Sequence, residues 1–310
     1  MALLVGAVVL GLVVTRMVVV GSRDMVAYLG QASTMHLEIG PLEADGRMRH
    51  VDLTDRHGRV RATIRRAPQP DGTPVVVILG GLKTGRRAVD LVDPDLPLTV
   101  ASLDYAWDGP TRLNGLSILI RLPAIQRDLA RTAVALRDLI RHLEHEGGAG
   151  GRVYVVGASL GVPIAVVTAA AVKPAGLALL YGFADHETLL AHRLAAYVPF
   201  ATVRVVLARA LATLIANLDA ARTLPRLCGT AVLVVSSPDD QDLPRRCSDL
   251  LWNSTCDPRH RVELPGGHLR GGRDGQLLAQ ATDVVTEWIR ERERGVWVAT
   301  VPESTRGLPP

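Results

Sequence analysis

Short apolar runs alternating with helically spaced segments constrain this chain more than any other feature. PVVVILGG (from Pro74), LTVASLDY (from Leu98), RVYVVG (from Arg152), GLALLYG (from Gly176), TAVLVVSS (from Thr230) and HRVELPGG (from His260) are strand-like. Most are apolar throughout and rich in β-branched residues, which marks strands buried on both faces rather than on one. Parallel strands need long crossovers. From Ile125 to His145, IQRDLARTAVALRDLIRHLEH spaces Leu129, Val134, Leu136, Leu139, Ile140 and Leu143 as an amphipathic helix with charges between, and EGGAGG ends it. VPIAVVTAAAV reads as a small-residue helix suited to close packing, and QLLAQATDVVTEWIRERE as a last helix. The alternation implies βαβ units with right-handed crossovers. The fold class is therefore α/β, a doubly wound, mostly parallel sheet flanked by helices. Ahead of it, MRHVDLT and RVRATIRRA alternate around DRHG and read as a hairpin turned at Gly58.

A chain of 310 residues with 48% hydrophobic content can build one such domain, assigned here to residues 34–295 with a tail at 296–310. Two segments depart from the simple alternation. ALLVGAVVLGLVVTRMVVVG is apolar from Ala2 to Gly21 except at Thr15 and Arg16, so residues 1–22 are expected to anchor the protein in a membrane. A cleaved signal segment of an exported protein is the competing reading, but a basic leader is missing and VVVGS is a poor small-x-small cleavage site. Residues 185–224 form a long, apolar, mostly helical interval broken near Pro199, expected to be a cap that supplies an apolar substrate pocket. The net charge of +4 is scattered without interleaved aromatics, which argues against nucleic acid as a partner. Cys228, Cys247 and Cys256 contain no CxxC pair, so the expectation is buried thiols, or in an exported protein a Cys247–Cys256 disulfide with Cys228 left over.

The chemistry centres on VYVVGASLGVPIAVV, where Ser159 lies between Gly157 and Gly161 with a buried strand before it and a helix after it. Such a turn lifts a serine to the carboxyl edge of the sheet, and side chains at the two glycines would collide across it. A serine hydroxyl needs a base within hydrogen-bond reach, and the base needs an acid to orient it. His268 is the one histidine that follows the last strand, in ELPGGHLRGG. For the acid, VLVVSSPDDQDLP offers Asp239, Asp240 and Asp242 just beyond a strand, with Asp185 a lesser candidate beyond the previous one.

These residues resemble an α/β-hydrolase, in the order nucleophile, acid, histidine, over roughly residues 48–292. In many members of that family the acid lies four residues before a proline. That frame selects Asp240, with Pro244 as the proline and Asp239 as the alternative. The family's oxyanion loop matches Gly80-Gly81-Leu82, with the histidine that usually opens it missing, so the resemblance implies backbone N–H donors at Leu82 and Leu160. Gly81, Lys83 and Trp107 follow as candidate pocket residues. The resemblance implies a carboxylic ester hydrolase with a small-molecule substrate carrying a hydrophobic acyl group, and no metal or organic cofactor. Thioesterase, peptidase and acyltransferase activities share the same machinery. A binding protein that kept the fold without catalysis is the alternative of a different class. Oligomeric state is open.

Overall fold

In a computed structural model of the chain, residues 15–69, 72–81, 83–107, 116–146, 152–269 and 275–295 are described. The apolar runs become strands of one nine-stranded sheet: β1 (His36–Leu42), β2 (Met48–Asp55), β3 (Gly58–Arg65), β4 (Val75–Leu79), β5 (Thr99–Leu103), β6 (Val153–Ala158), β7 (Gly176–Leu180), β8 (Ala231–Ser236) and β9 (Arg259–Glu263). Their order across the sheet is β1-β2-β3-β5-β4-β6-β7-β8-β9. The hairpin of β2 and β3 turns at Gly58 and joins β5 in antiparallel sense, whereas β5, β4 and β6 to β9 are all parallel. β1, at the sheet edge and mostly exposed, has no buried face to impose a period, and its sequence, HLEIGPL, gives no strand signal.

After β4 the chain steps outward to β5, then returns past β4 to β6. This reversal puts the loops after β4 and β6 on either side of a crevice at the carboxyl edge, the usual binding position in open α/β sheets. Leu79 on β4 is level with Gly157 on β6, so Gly80 and the Ser159 turn leave the sheet side by side.

One sheet face carries the larger apolar core, covered by α1 (Met25–Gln31), α2 (Leu116–Glu146) and α3 (Gly161–Val172). The spacing of α2 predicts a solvated polar face, but residues 131–140 are buried all round. The N-terminal segment covers the charged side. Arg137 donates to the carboxylate of Asp138 (2.8 Å) and to the carbonyls of Leu29, Ala32 and Ser33, while the other Asp138 oxygen accepts the N–H of Met35 (2.8 Å). Arg131 forms a two-pronged pair with Asp55 at 2.8 and 3.0 Å. The opposite sheet face is thinner, covered by a 3₁₀ turn (Gly85–Leu91) and the last helix, α8 (Gly275–Glu293).

Of the expected membrane anchor, residues 1–14 lie outside the described residues, and the remainder does not support a span. Among the described residues no helix is long and apolar enough to cross a membrane. Residues 15–21 are helical and lie against the protein body. Met17 is buried, its carbonyl accepts a hydrogen bond from Gln126 (3.1 Å), and Gly21 meets the Leu214 carbonyl so closely that a Cβ has no room.

The cysteine expectation also changes. Cys228 and Cys256 form the disulfide, with Cα atoms 4.9 Å apart, and Cys247 is the free, buried thiol. β8 and β9 are parallel neighbours, so the residues just ahead of each start at the same sheet edge, however far apart they are in sequence. Cys247, on α7 (Arg245–Asn253), packs with Phe183 and Leu243, and burial beside the Asp185 carboxylate pushes its thiol up to about 12.

The 185–224 interval breaks around Pro199 into α4 (His186–Leu194) and α5 (Ala201–Leu214), then a short α6 (Ala220–Thr223). His186, in the first turn of α4, is buried edge-on to Phe183 rather than solvated or on the substrate side. Burial draws its pKa down to about 4. An unfolded chain takes up this proton near pH 6.5 while the folded one refuses it, so stability is intact above that pH and is lost as pH falls towards 4. The loss attributable to this residue should reach about 3 kcal/mol, read as the difference in pH dependence of denaturant midpoints between the wild type and His186→Phe.

Candidate active site

Ser159 lies in the turn between β6 and α3 with φ at 52°, a left-handed conformation that a serine adopts only where its surroundings impose it. Its N–H donates to Leu180 O of β7 (2.9 Å), and its own carbonyl accepts from Val162 (3.1 Å). A Cβ at Gly157 would come within 2.7 Å of Ala165 Cβ, and one at Gly161 would run into the Leu79 carbonyl. The two glycines therefore let strand, turn and helix close tightly, with the serine at the apex.

His268 follows β9 at the same edge. Ser159 Oγ lies 3.0 Å from His268 Nε2, and His268 Nδ1 lies 2.7 Å from Asp240 Oδ2. The other Asp240 oxygen accepts the backbone N–H groups of Asp242 (2.8 Å) and Leu243 (3.1 Å), so both oxygens are occupied and the carboxylate is held in one orientation. Asp240 and His268 are largely buried, with side-chain exposures of 5% and 12%. Asp239 turns elsewhere, its carboxylate meeting the N–H of Gly266 at 3.5 Å, while Ser237 donates to Gly266 O. These contacts tie the acid loop to the histidine loop. Asp242 pairs with Arg193 (3.2 Å), and Asp185 caps α4 through Thr188 N (3.0 Å).

The remaining histidines lie away from Ser159. His50 pairs with Glu43 (2.8 Å), His57 is in the hairpin turn, His142 and His145 are on α2, His192 meets Gln241 O, and His260 is in β9. His36 is in the edge strand β1.

Sequence reasoning missed two tyrosines that shape the site. Tyr181, at φ 50°, stands edge-on to the His268 ring with centroids 6.1 Å apart; burial and the nearby Asp240 carboxylate push its phenol up to about 12. Tyr105, buried and with its phenol held well above its ordinary value by that burial, donates to Gly80 O (2.7 Å) and fixes the loop after β4. Neither tyrosine carries a local motif; each acts through a neighbour distant in sequence.

The loop after β4 turns back at once, with Gly81 O accepting from Thr84 N (2.9 Å). Leu82 lies outside the described residues. Leu160 is the residue immediately ahead of α3, where the first backbone N–H groups of a helix have no partner within it. A cavity of about 860 Å³ opens beside Ser159 and His268. Gly81 and Lys83 line it; Trp107 instead packs against the larger core, and none of the cavity's lining residues comes from the 185–224 interval.

The arrangement joins a serine hydroxyl, an imidazole and a carboxylate in one hydrogen-bonded line at the edge of the cavity. Such a line can move a proton off the hydroxyl and stabilise the resulting imidazolium.

No protein-family model matches the sequence, and comparison with curated proteins finds no significant match. Solved structures do match. Acetyl xylan esterase 1 from Thermoanaerobacterium superposes with a TM-score of 0.60 at 15% identity, over 84% of this chain and 93% of that one. An acetyl xylan esterase from Paenibacillus gives 0.58 at 14% identity, over 84% and 92%, and dienelactone hydrolase from Anabaena variabilis gives 0.53 at 16%, over 79% and 97%. Strand order, the strained serine at the β6–α3 turn and these superpositions agree: the chain has the α/β-hydrolase fold.

Proposed function

We infer that the protein is a serine hydrolase of carboxylic esters, acting through Ser159, His268 and Asp240. The observation that carries this reading is the continuous line from Ser159 Oγ to His268 Nε2 (3.0 Å) and from His268 Nδ1 to Asp240 Oδ2 (2.7 Å). The esterase names of the structural neighbours support an ester as substrate.

Ser159 Oγ attacks the ester carbonyl carbon as His268 Nε2 takes the hydroxyl proton, and Asp240 holds the imidazolium in place. The carbonyl oxygen becomes an oxyanion, for which the N–H groups of Leu160 and Leu82 are the proposed donors. The intermediate collapses, the C–O bond to the alcohol breaks, and His268 returns its proton to the leaving oxygen. Water then attacks the acyl-enzyme, again giving a proton to His268, and releases the carboxylic acid with Ser159 restored. A fluorophosphonate probe tests this directly. Covalent labelling of the wild type and none of Ser159→Ala is the expected result; an unlabelled wild type, or equal labelling of the variant, overturns the reading.

A further inference from the structure

The acyl group of a hydrophobic ester needs an apolar volume next to Ser159, and the helical interval does not line one. The cavity of about 860 Å³ lies within the range of small-molecule sites. It is built between the thinner sheet face, the 85–91 turn and α8.

Two independent rulers give its depth. Val76, which lines it, is level with Tyr154 on β6, five residues below Ser159, or roughly 16 Å at 3.3 Å per strand residue. On α8 the lining residues run from Leu278 to Ile289, again roughly 16 Å at 1.5 Å per residue. α8 follows the His268 loop, so its first turns lie at the reactive end. Its last turns lie at the strand starts, where Trp288 meets Gly176 and Tyr154 bonds Glu293.

Polarity changes along this depth. Lys83, Arg87, Asp90 and Asp242 are the charged lining residues, from the loops and the 3₁₀ turn, whereas the strand-start end is lined mainly by Val76, Val92, Leu98, Val100 and Ile289. Between them Val156 and Ala158 of β6 and Val285 of α8 continue the wall, with Thr282 and Thr286 of α8 also lining it. The result is a slot with one end at the nucleophile and an apolar far end, the shape and polarity of an extended alkyl chain with an ester at its head.

We propose that this slot between the sheet and α8, not the helical interval, receives the acyl chain, and that α8 sets the chain length accepted. The proposal rests on the ester hydrolase reading above. It is tested by kcat/KM for nitrophenyl esters with acetyl, octanoyl and dodecanoyl chains. The wild type should favour octanoyl over acetyl. Val285→Phe, which blocks the slot partway down, should lower the octanoyl-to-acetyl ratio at least about tenfold, since a pocket distinguishes even single methylenes by about that factor. Ile289→Ala, at the far end, should raise the dodecanoyl-to-octanoyl ratio, and it carries the test alone if Val285→Phe does not fold. Val206→Trp, on the exposed face of α5, should keep the wild-type ratios. A wild type that favours acetyl, unchanged ratios in both slot variants, or a shift caused by Val206→Trp overturns the proposal. If fluorophosphonate still labels Ser159 in that case, the slot alone is lost; if nothing labels and no ester turns over, the hydrolase reading fails instead.

Discussion

Alanine at Ser159 should lower kcat for ester hydrolysis by on the order of 10⁶-fold, and adding His268→Ala to it should lower kcat little further, because in the proposed mechanism the two side chains act as one proton-transfer unit. The residual rate belongs to binding and to the backbone donors alone. The acid is separable by the same assay. Asp240→Asn keeps the shape of the side chain but presents an amide to the imidazole, favours the wrong tautomer, and should cost about 10⁴-fold. Asp239→Asn should stay within a few-fold of wild type, because among the described residues that carboxylate meets the N–H of Gly266 and not His268. A loss at Asp239 matching that at Asp240 would reverse the assignment of the acid. Burst kinetics with a nitrophenyl ester would show the acyl-enzyme itself.

Substituting Arg137 should be the most destabilising single change away from the site. Its guanidinium is fully buried and serves the Asp138 carboxylate and three carbonyls of residues 29–33 together. Arg137→Met leaves the Asp138 charge and those carbonyls without their donor, at a cost of about 3–5 kcal/mol. In a chain of this size that corresponds to a fall in Tm of roughly 5–8 °C, measurable by calorimetry. Arg137→Lys should recover little of it, since a single ammonium cannot reproduce the planar fork. Arg137→Met with Asp138→Leu should recover part, because the buried charge disappears with its partner. A Tm unchanged in Arg137→Met would show that the N-terminal segment does not depend on this cluster.

Much of the molecule was legible from local pattern. Continuous apolar runs read as strands covered on both faces, so the parallel strands β4 to β8 follow from the residues, as does the hairpin at Gly58; β9, at the sheet edge, is a strand that is only partly buried. Gly157 and Gly161 were legible for a similar reason: the close approach that excludes a Cβ occurs within one strand–turn–helix unit. His268 could be picked because it alone among nine histidines follows the last strand, and Asp240 because a resemblance supplied its frame.

Other features had no local trace. The charges of α2 read as a solvated face, because helical spacing cannot tell water from a covering segment of buried carbonyls and N–H groups; residues 24–35 supply that cover. The apolar N-terminal run suggests a bilayer span, yet among the described residues no helix is long and apolar enough for one, and Met17 and Gly21 are buried against the protein body. Cys228 pairs with Cys256 because β8 and β9 start side by side. The 185–224 interval was apolar enough to suggest the pocket, but the cavity lies between the sheet and α8, on walls drawn from strands far apart in sequence. The sequence by itself determined the strand-and-helix order and the turn that lifts Ser159, since both arise from interactions among residues near in the chain. Tertiary structure alone decided which charges are buried, which cysteines pair and which face holds the cavity, since each depends on segments that meet only after the sheet has formed.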